Sequence, residues 1–148
     1  MILLIVKPAF SGLIGMFEIK AKVDYGLLIM TELAKNPREL TPISVIAKRM
    51  DVSSSYLSQI AANLVQAGLI KSREGSQGGY GLTKAPIRIS VLEIIEALDG
   101  HIESSCVLDK GAGCPHAAGC HVRGAWEEIL PDLKTVLKKR SLASLLRK

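Results

Sequence analysis

Aromatic residues are scarce in this chain. Two Phe, three Tyr and one Trp make up 4% of 148 residues, against 48% hydrophobic residues overall. The interior must therefore be aliphatic, a composition that favours packed helices over a β-sandwich. Cysteine is also sparse, and its three copies all fall between positions 106 and 120. An odd, clustered set is no secreted disulfide framework and points instead to metal or redox chemistry in a reducing compartment. The chain has no Ser–His–Asp arrangement, phosphate loop or paired-carboxylate pattern, so it does not read as an enzyme. The apolar stretch 1–15 is interrupted by Pro8, Gly12 and Gly15. It is too short to cross a bilayer, and it lacks a basic leader and a small-residue cleavage site. Met16 precedes a more polar segment, so residues 1–15 are expected to be a start-site extension of a cytoplasmic protein with no membrane partner.

Charge is unevenly spread over the net +5. Residues 17–89 hold ten basic and six acidic side chains, residues 90–130 two and seven, and residues 131–148 six and one. A basic first half joined to an acidic middle suits a phosphate-binding module attached to something else, although charge alone fits an ordinary solvated surface equally well.

Hydrophobic periodicity divides the chain into helices and one hairpin. Val23, Leu27, Met30 and Ala34 share one face of a helix from Lys22 to Lys35, which Asn36-Pro37 ends. Thr41-Pro42 opens a short second helix with Ile43, Ile46, Ala47 and Met50 inward, Thr41 as its cap. Asp51-Val52 turns the chain, and Ser53 caps a third helix to Ala67 with Leu57, Ile60, Ala61 and Leu64 buried; Gly68 follows it. Residues 69–73 and 80–83 read as strands around a flexible tip at 74–79. Ser90 and Glu93 form a capping box for a fourth helix ending at Gly100. Residues 101–121 show no periodicity and read as a loop. A long amphipathic pattern follows, with Val122, Trp126, Ile129, Leu133, Val136 and Leu137 aligned, and Pro131 is expected to kink it or start a new helix. A short amphipathic tail begins at Ser141.

Helix, helix–turn–helix and Gly-tipped hairpin is the order of a winged helix, in which the third helix enters the major groove and the hairpin reaches the neighbouring backbone or minor groove. The predicted fold is thus mostly α: a winged helix-turn-helix at 16–89, then a cysteine loop and a long C-terminal dimerisation helix within 90–148. The outward face of the third helix carries Ser54, Ser55, Tyr56, Ser58, Gln59 and Asn63, whose hydroxyls and amides can bond phosphates or base edges. Taken alone, these residues also fit any polar helix start; the Gly-rich hairpin tips the reading to DNA, with Arg73 and Gln77 on the wing. The loop holds Cys106-x7-Cys114-x5-Cys120. Thiolates bind iron or zinc strongly, and a small-residue loop lets three converge on one centre. The Cys-x2-Cys pair usual in zinc sites is absent.

Residues 17–148 resemble the Rrf-type winged-helix transcription regulators, the IscR- and NsrR-like group. The resemblance rests on Val23-Asp24-Tyr25-Gly26-Leu27, Ile43-Ser44-Val45-Ile46-Ala47, and Val52 through Gln59. It continues through Ala67-Gly68-Leu69-Ile70-Lys71-Ser72, Gly75 through Leu82, and the three loop cysteines. It implies a homodimer on a palindromic operator in double-stranded DNA, with Ser53, Ser55, Tyr56 and Gln59 contacting DNA. It also implies an iron–sulfur cluster on Cys106, Cys114 and Cys120. The match of Asp24 to one branch of the family makes it the favoured fourth ligand, reaching over from the partner subunit, with His121 and His116 as substitutes. That match points to [4Fe–4S], with [2Fe–2S] open. Ser58 stands where part of the family has a discriminating Glu, and Glu74 where it has a wing Arg, so base preference does not transfer and Arg73 becomes the candidate wing cation. The resulting expectation is a DNA-binding regulator, repression favoured, that senses redox, nitric oxide or iron–sulfur status. A zinc-stabilised or cluster-free regulator answering to a small molecule or protein is the alternative. An electron-transfer protein would leave the wing and the Ser-rich helix unexplained.

Overall fold

The computed structural model describes residues 20–104 and 119–147. Helix α1 (Ala21–Lys35) buries Val23, Gly26, Ile29, Met30, Leu33 and Ala34, a stripe at three- and four-residue spacing, and ends at Asn36 before Pro37. Helix α2 (Ile43–Met50) buries Ile46 and Ala47 and ends on Asp51 in the left-handed conformation (φ 52°). Helix α3 (Ser54–Gln66) is capped by the Ser53 hydroxyl, which accepts from the Tyr56 amide at 3.2 Å, and buries Leu57, Ile60, Ala61 and Leu64. These elements follow the sequence pattern closely. One role differs: Pro42, not Thr41, occupies the cap position of α2, and no side chain caps that helix.

Thr41 is committed elsewhere. Strands β1 (Ile70–Arg73) and β2 (Gly79–Leu82) pair antiparallel with Ile70 opposite Leu82 and Arg73 opposite Gly79. On the other edge of β2, the Thr41 amide donates to the Tyr80 carbonyl (2.8 Å) and the Tyr80 amide donates to the Thr41 carbonyl (2.9 Å). The start of α2 thereby satisfies two backbone groups on the outer edge of β2. Gly79 is required there, since a Cβ would lie 2.6 Å from the Thr41 carbonyl carbon at a φ of 151°.

A single 3₁₀ turn (Pro86–Arg88) leads to α4 (Val91–Asp99), whose Ser90–Glu93 capping box is complete. Helix α5 (His121–Lys139) runs through Pro131 without a break, so no second helix starts there. Proline lacks the amide that would bond the carbonyl four residues earlier; Glu127, which holds that carbonyl, is solvent-exposed. The short α6 (Leu142–Leu145), capped by Ser141, returns to the body of the molecule. Val91 N–H donates to Arg140 C=O and Leu142 N–H to Ile89 C=O, each at 2.8 Å.

The core is aliphatic, as the composition requires. Ile29, Met30, Leu33, Ile46, Leu57, Leu64, Ile70, Ile89, Ile94 and Leu142 are essentially sealed from water, and among the described residues Tyr25, Tyr56 and Tyr80 only border this cluster. Full burial of each such aliphatic side chain stabilises the fold by ~1.5–3 kcal/mol before conformational entropy is charged. The cluster joins α1–α3, the hairpin, α4 and the C-terminal Leu142, so the helix-turn-helix and the element leading toward the cysteine segment share one interior.

Candidate DNA-reading surface and cysteine segment

The start of α3 presents its side chains in two ways. Ser54, Ser55, Gln59 and Asn63 are exposed, and Ser55, Gln59 and Asn63 recur every four residues along one face. Ser53 is exposed but its oxygen serves the helix cap. Ser58 is half-buried and donates its hydroxyl to the Ser54 carbonyl at 2.8 Å, which leaves it chiefly an acceptor. Tyr56, expected on the open face, is half-buried instead. Its ring meets Tyr25 of α1 edge-on, with centroids 5.4 Å apart at 88°. This is the favoured arrangement of two aromatic quadrupoles, and it steadies the first turn of α3 against α1. Nothing local in the sequence marks that pair.

At the wing, Arg73, Glu74 and Gln77 are all exposed. Among the described residues Glu74 has no ion-pair partner, so its charge faces whatever approaches the tip. The wing and α3 are held in one frame by the Thr41–Tyr80 pairing and the shared core.

Cys106, Cys114 and His116 lie outside the described residues. Cys120 stands at the cap position of α5, half-buried with a free thiol, and His121 is exposed in the first turn. Sulfur is a strong donor to iron and zinc, so the residue type at this position suits a metal or cluster. Asp24 is exposed in the first turn of α1. Among the described residues no three His, Cys, Asp or Glu side chains converge to hold a metal. Asp24 and Cys120 therefore do not form a complete site from these residues alone.

The end of α4, which leads toward the cysteine segment, carries a cluster of ion pairs. Asp99, the last residue of α4, accepts from Lys20 Nζ at 2.7 Å and lies 3.1 Å from Lys22 Nζ. The Lys20 hydrogen bond outweighs burial and, with Lys22, holds the Asp99 carboxyl below its ordinary value. On the far side, none of the α5 side chains is buried. Val122, Ile129 and Val136, at sevenfold spacing, are 60%, 50% and 56% exposed, beside half-buried Trp126, Leu130, Leu133 and Leu137. Ile102, Trp126, Leu130 and Pro131 line an apolar hollow of about 470 Å³ on this face. Among the described residues no helix is long and apolar enough to cross a membrane.

A helix-turn-helix with its recognition helix capped by serine, braced to a β-hairpin wing and followed by a long exposed helix, defines a winged-helix transcription regulator. The family profile Rrf2, described as an iron-dependent transcriptional regulator, matches residues 19–148, and the chain belongs to this family. It is 38% identical to the HTH-type transcriptional regulator CymR of Bacillus subtilis over 114 residues, 76% of this chain and 83% of that protein. The solved structure of CymR, named the global cysteine regulator of B. subtilis, superposes with a TM-score of 0.71 at 36% identity, covering 88% of this chain and 96% of the other. The structure of IscR from T. potens gives a TM-score of 0.69 at 30% identity, covering 88% and 87%.

Proposed function

We propose that this regulator binds a palindromic operator as a homodimer, acts as a repressor, and reports redox, nitric oxide or iron–sulfur status through a cluster on Cys106, Cys114 and Cys120. Ser53, Ser54, Ser55, Tyr56, Ser58 and Gln59, with Arg73 and Gln77 of the wing, form the DNA-contacting set. Ser55 and Gln59 reach base edges, Ser54 and the first-turn amides of α3 meet phosphate, and Ser53 and Tyr56 hold the helix start in place. The observation that carries the sensor reading is the family match, itself described as iron-dependent, in a chain whose cysteines all lie in one short segment.

When bound, such a cluster supplies an iron centre that reacts with oxidants or nitric oxide and can be lost. The protein's own part is to convert a change in its cysteines into movement. The segment follows α4, whose last residue Asp99 is tied to the start of α1, and leads into α5 through its cap residue Cys120. Asp24 of the partner subunit supplies the fourth ligand in this reading, and the heptad-spaced apolar face of α5 meets its twofold mate. A coupling of about 1–3 kcal/mol between ligation and operator affinity suffices for a switch. The domain boundary near residue 90 then separates the reading head from the sensing and dimerising part.

Anaerobic purification with iron and acid-labile sulfide analysis tests this reading. Near-equal iron and sulfide supports it, four of each per site favouring [4Fe–4S] and two [2Fe–2S]. Protein that stays free of iron after reconstitution ends the cluster reading. The likeness to CymR favours a second one, a cluster-free or zinc-stabilised regulator answering to a small molecule or protein partner. In that case zinc, or no metal, accompanies unimpaired DNA binding.

A further inference from the structure

The face of the wing away from its tip holds an open groove of about 600 Å³. One wall is the α1–α2 connection, with Pro37, Arg38, Glu39 and Leu40; the other is β1, with Lys71 and Arg73. Its floor exists because of glycine: Lys71 pairs across the hairpin with Gly81, and Arg73 with Gly79. A Cβ at Gly81 would lie 2.9 Å from Leu40 Cδ2, crowding that wall, and 3.8 Å from Lys71 Cε, an ordinary contact distance. Arg38, Lys71 and Arg73 are all exposed and, among the described residues, none has an ion-pair partner. Five other cations of the reading head are engaged, Lys35 and Arg49 with Glu32, Lys84 with Glu93, and Lys20 and Lys22 with Asp99, while Lys48 and Arg88 are exposed outside the groove. Glu39 is the one acid lining the groove.

We propose that this groove seats the phosphodiester backbone of DNA beyond the bases read by α3, with Arg38 and Lys71 as phosphate contacts. The proposal rests on the DNA-binding reading and adds to it a sequence-independent anchor. Arg73 is common to the wing tip and the groove, so a strand that meets the tip continues along a channel lined by unpaired cations. Long cationic side chains over a glycine floor fit a charged, extended polymer. They do not distinguish bases, since phosphate contacts position a protein without reading sequence. An acidic protein surface would also be attracted, but a channel that runs on from the wing favours the nucleic acid.

The test uses the full chain, a mixed-sequence DNA duplex and a series of salt concentrations. Wild-type protein is compared with the Arg38→Gln/Lys71→Gln double variant and with Lys71→Gln alone, their thermal unfolding measured alongside as a check of folding. Each lost phosphate contact lowers the slope of log affinity against log salt by roughly 0.9. The slope is expected to fall by about 1 for Lys71→Gln and about 2 for the double variant. A wild-type slope in a folded double variant overturns the groove and leaves the DNA-binding reading standing, and the same result with weakened binding to an acidic protein assigns the groove to that partner. Failure of the wild-type protein to bind any duplex overturns both.

Discussion

Gly26 of α1 faces Leu98 of α4 so closely that a Cβ on the glycine would sit 2.1 Å from the leucine Cδ1 and 3.3 Å from its Cγ. The contact joins the first helix of the reading head to the helix from which the cysteine segment departs. Gly26→Ala gains about 1 kcal/mol of helix propensity, but it forces Leu98 off its position in a closed core, an overpacking cost of ~1–3 kcal/mol. Urea unfolding should show the variant less stable by about 1 kcal/mol, the difference of those two effects. Leu98→Ala costs ~2–5 kcal/mol by itself, but in that background Gly26→Ala should cost less than it does in the wild type, because the clashing methyl is then gone. A strictly additive pair would show that the two residues do not interact as the structure places them.

Leu142 lies far along the chain from the helices it packs with, yet it is completely buried in the same cluster. Leu142→Ala should cost ~2–5 kcal/mol, the range for a core leucine truncation. The exposed Leu145 and Leu146, 44% and 39% accessible, should cost far less when changed to Ala. Thermal unfolding of the three variants separates a structural anchor from a solvated tail, and equal effects would deny Leu142 its special place.

Glu32 links α1 to α2. It contacts Lys35 on its own helix and accepts from Arg49 at 2.8 Å. The Lys35 hydrogen bond, opposed by burial and aided by Arg49, holds the Glu32 carboxyl below its ordinary value of 4.5. A depressed folded value means the stabilisation is fully present above the unfolded value and is lost as pH falls through the folded one. Both cations are more than half exposed, so solvent limits the effect to about 0.5–1 kcal/mol. Glu32→Gln should therefore be less stable than wild type at neutral pH. The two proteins should converge in acid as the wild-type carboxyl protonates, and a gap that persists in acid would assign the loss to packing.

Gln59 is exposed on α3, one turn beyond Ser55. Gln59→Ala should weaken binding to the selected operator by ~1–3 kcal/mol and relax discrimination at one base pair, leaving the salt slope unchanged. A uniform loss across all DNA sequences would make it a phosphate contact. Asp24→Ala should leave the apo-protein's folding and DNA binding intact, since Asp24 is exposed and outside the core. It should weaken the response to oxidant or nitric oxide, followed as operator affinity before and after treatment; a full response would remove Asp24 from the ligand set.

The helices were legible because each carries its own evidence: apolar spacing, a serine cap at Ser53 or Ser90, a stop at Pro37 or Gly100. Features that depend on distant partners were not. Thr41 reads locally as a helix cap, but its backbone pairs with Tyr80, 39 residues later, and no side-chain pattern encodes that register. Tyr56 reads as outward because helical spacing alone cannot see Tyr25 waiting on α1. Pro131 reads as a kink or a new start, and the second does not occur, because an exposed helix turn tolerates the hydrogen bond lost at Glu127. The four-residue spacing of Ser55 and Gln59 was plain from sequence. The groove cations Arg38 and Lys71 were not, since they lie 33 residues apart and only the hairpin's fold against the α1–α2 connection brings them to one channel.

The backbone pairing of Thr41 with Tyr80 makes the wing a bracket and not a hinge. The span from recognition helix to the base of the hairpin is then a ruler within each chain, held by two backbone hydrogen bonds at a half-buried edge. In the proposed homodimer, regulation is left with one coordinate to work on, the separation and tilt between one ruler and its twofold copy. An operator with a base pair inserted inside a half-site should defeat the protein in every signalling state, whereas one inserted between half-sites should change which state binds best.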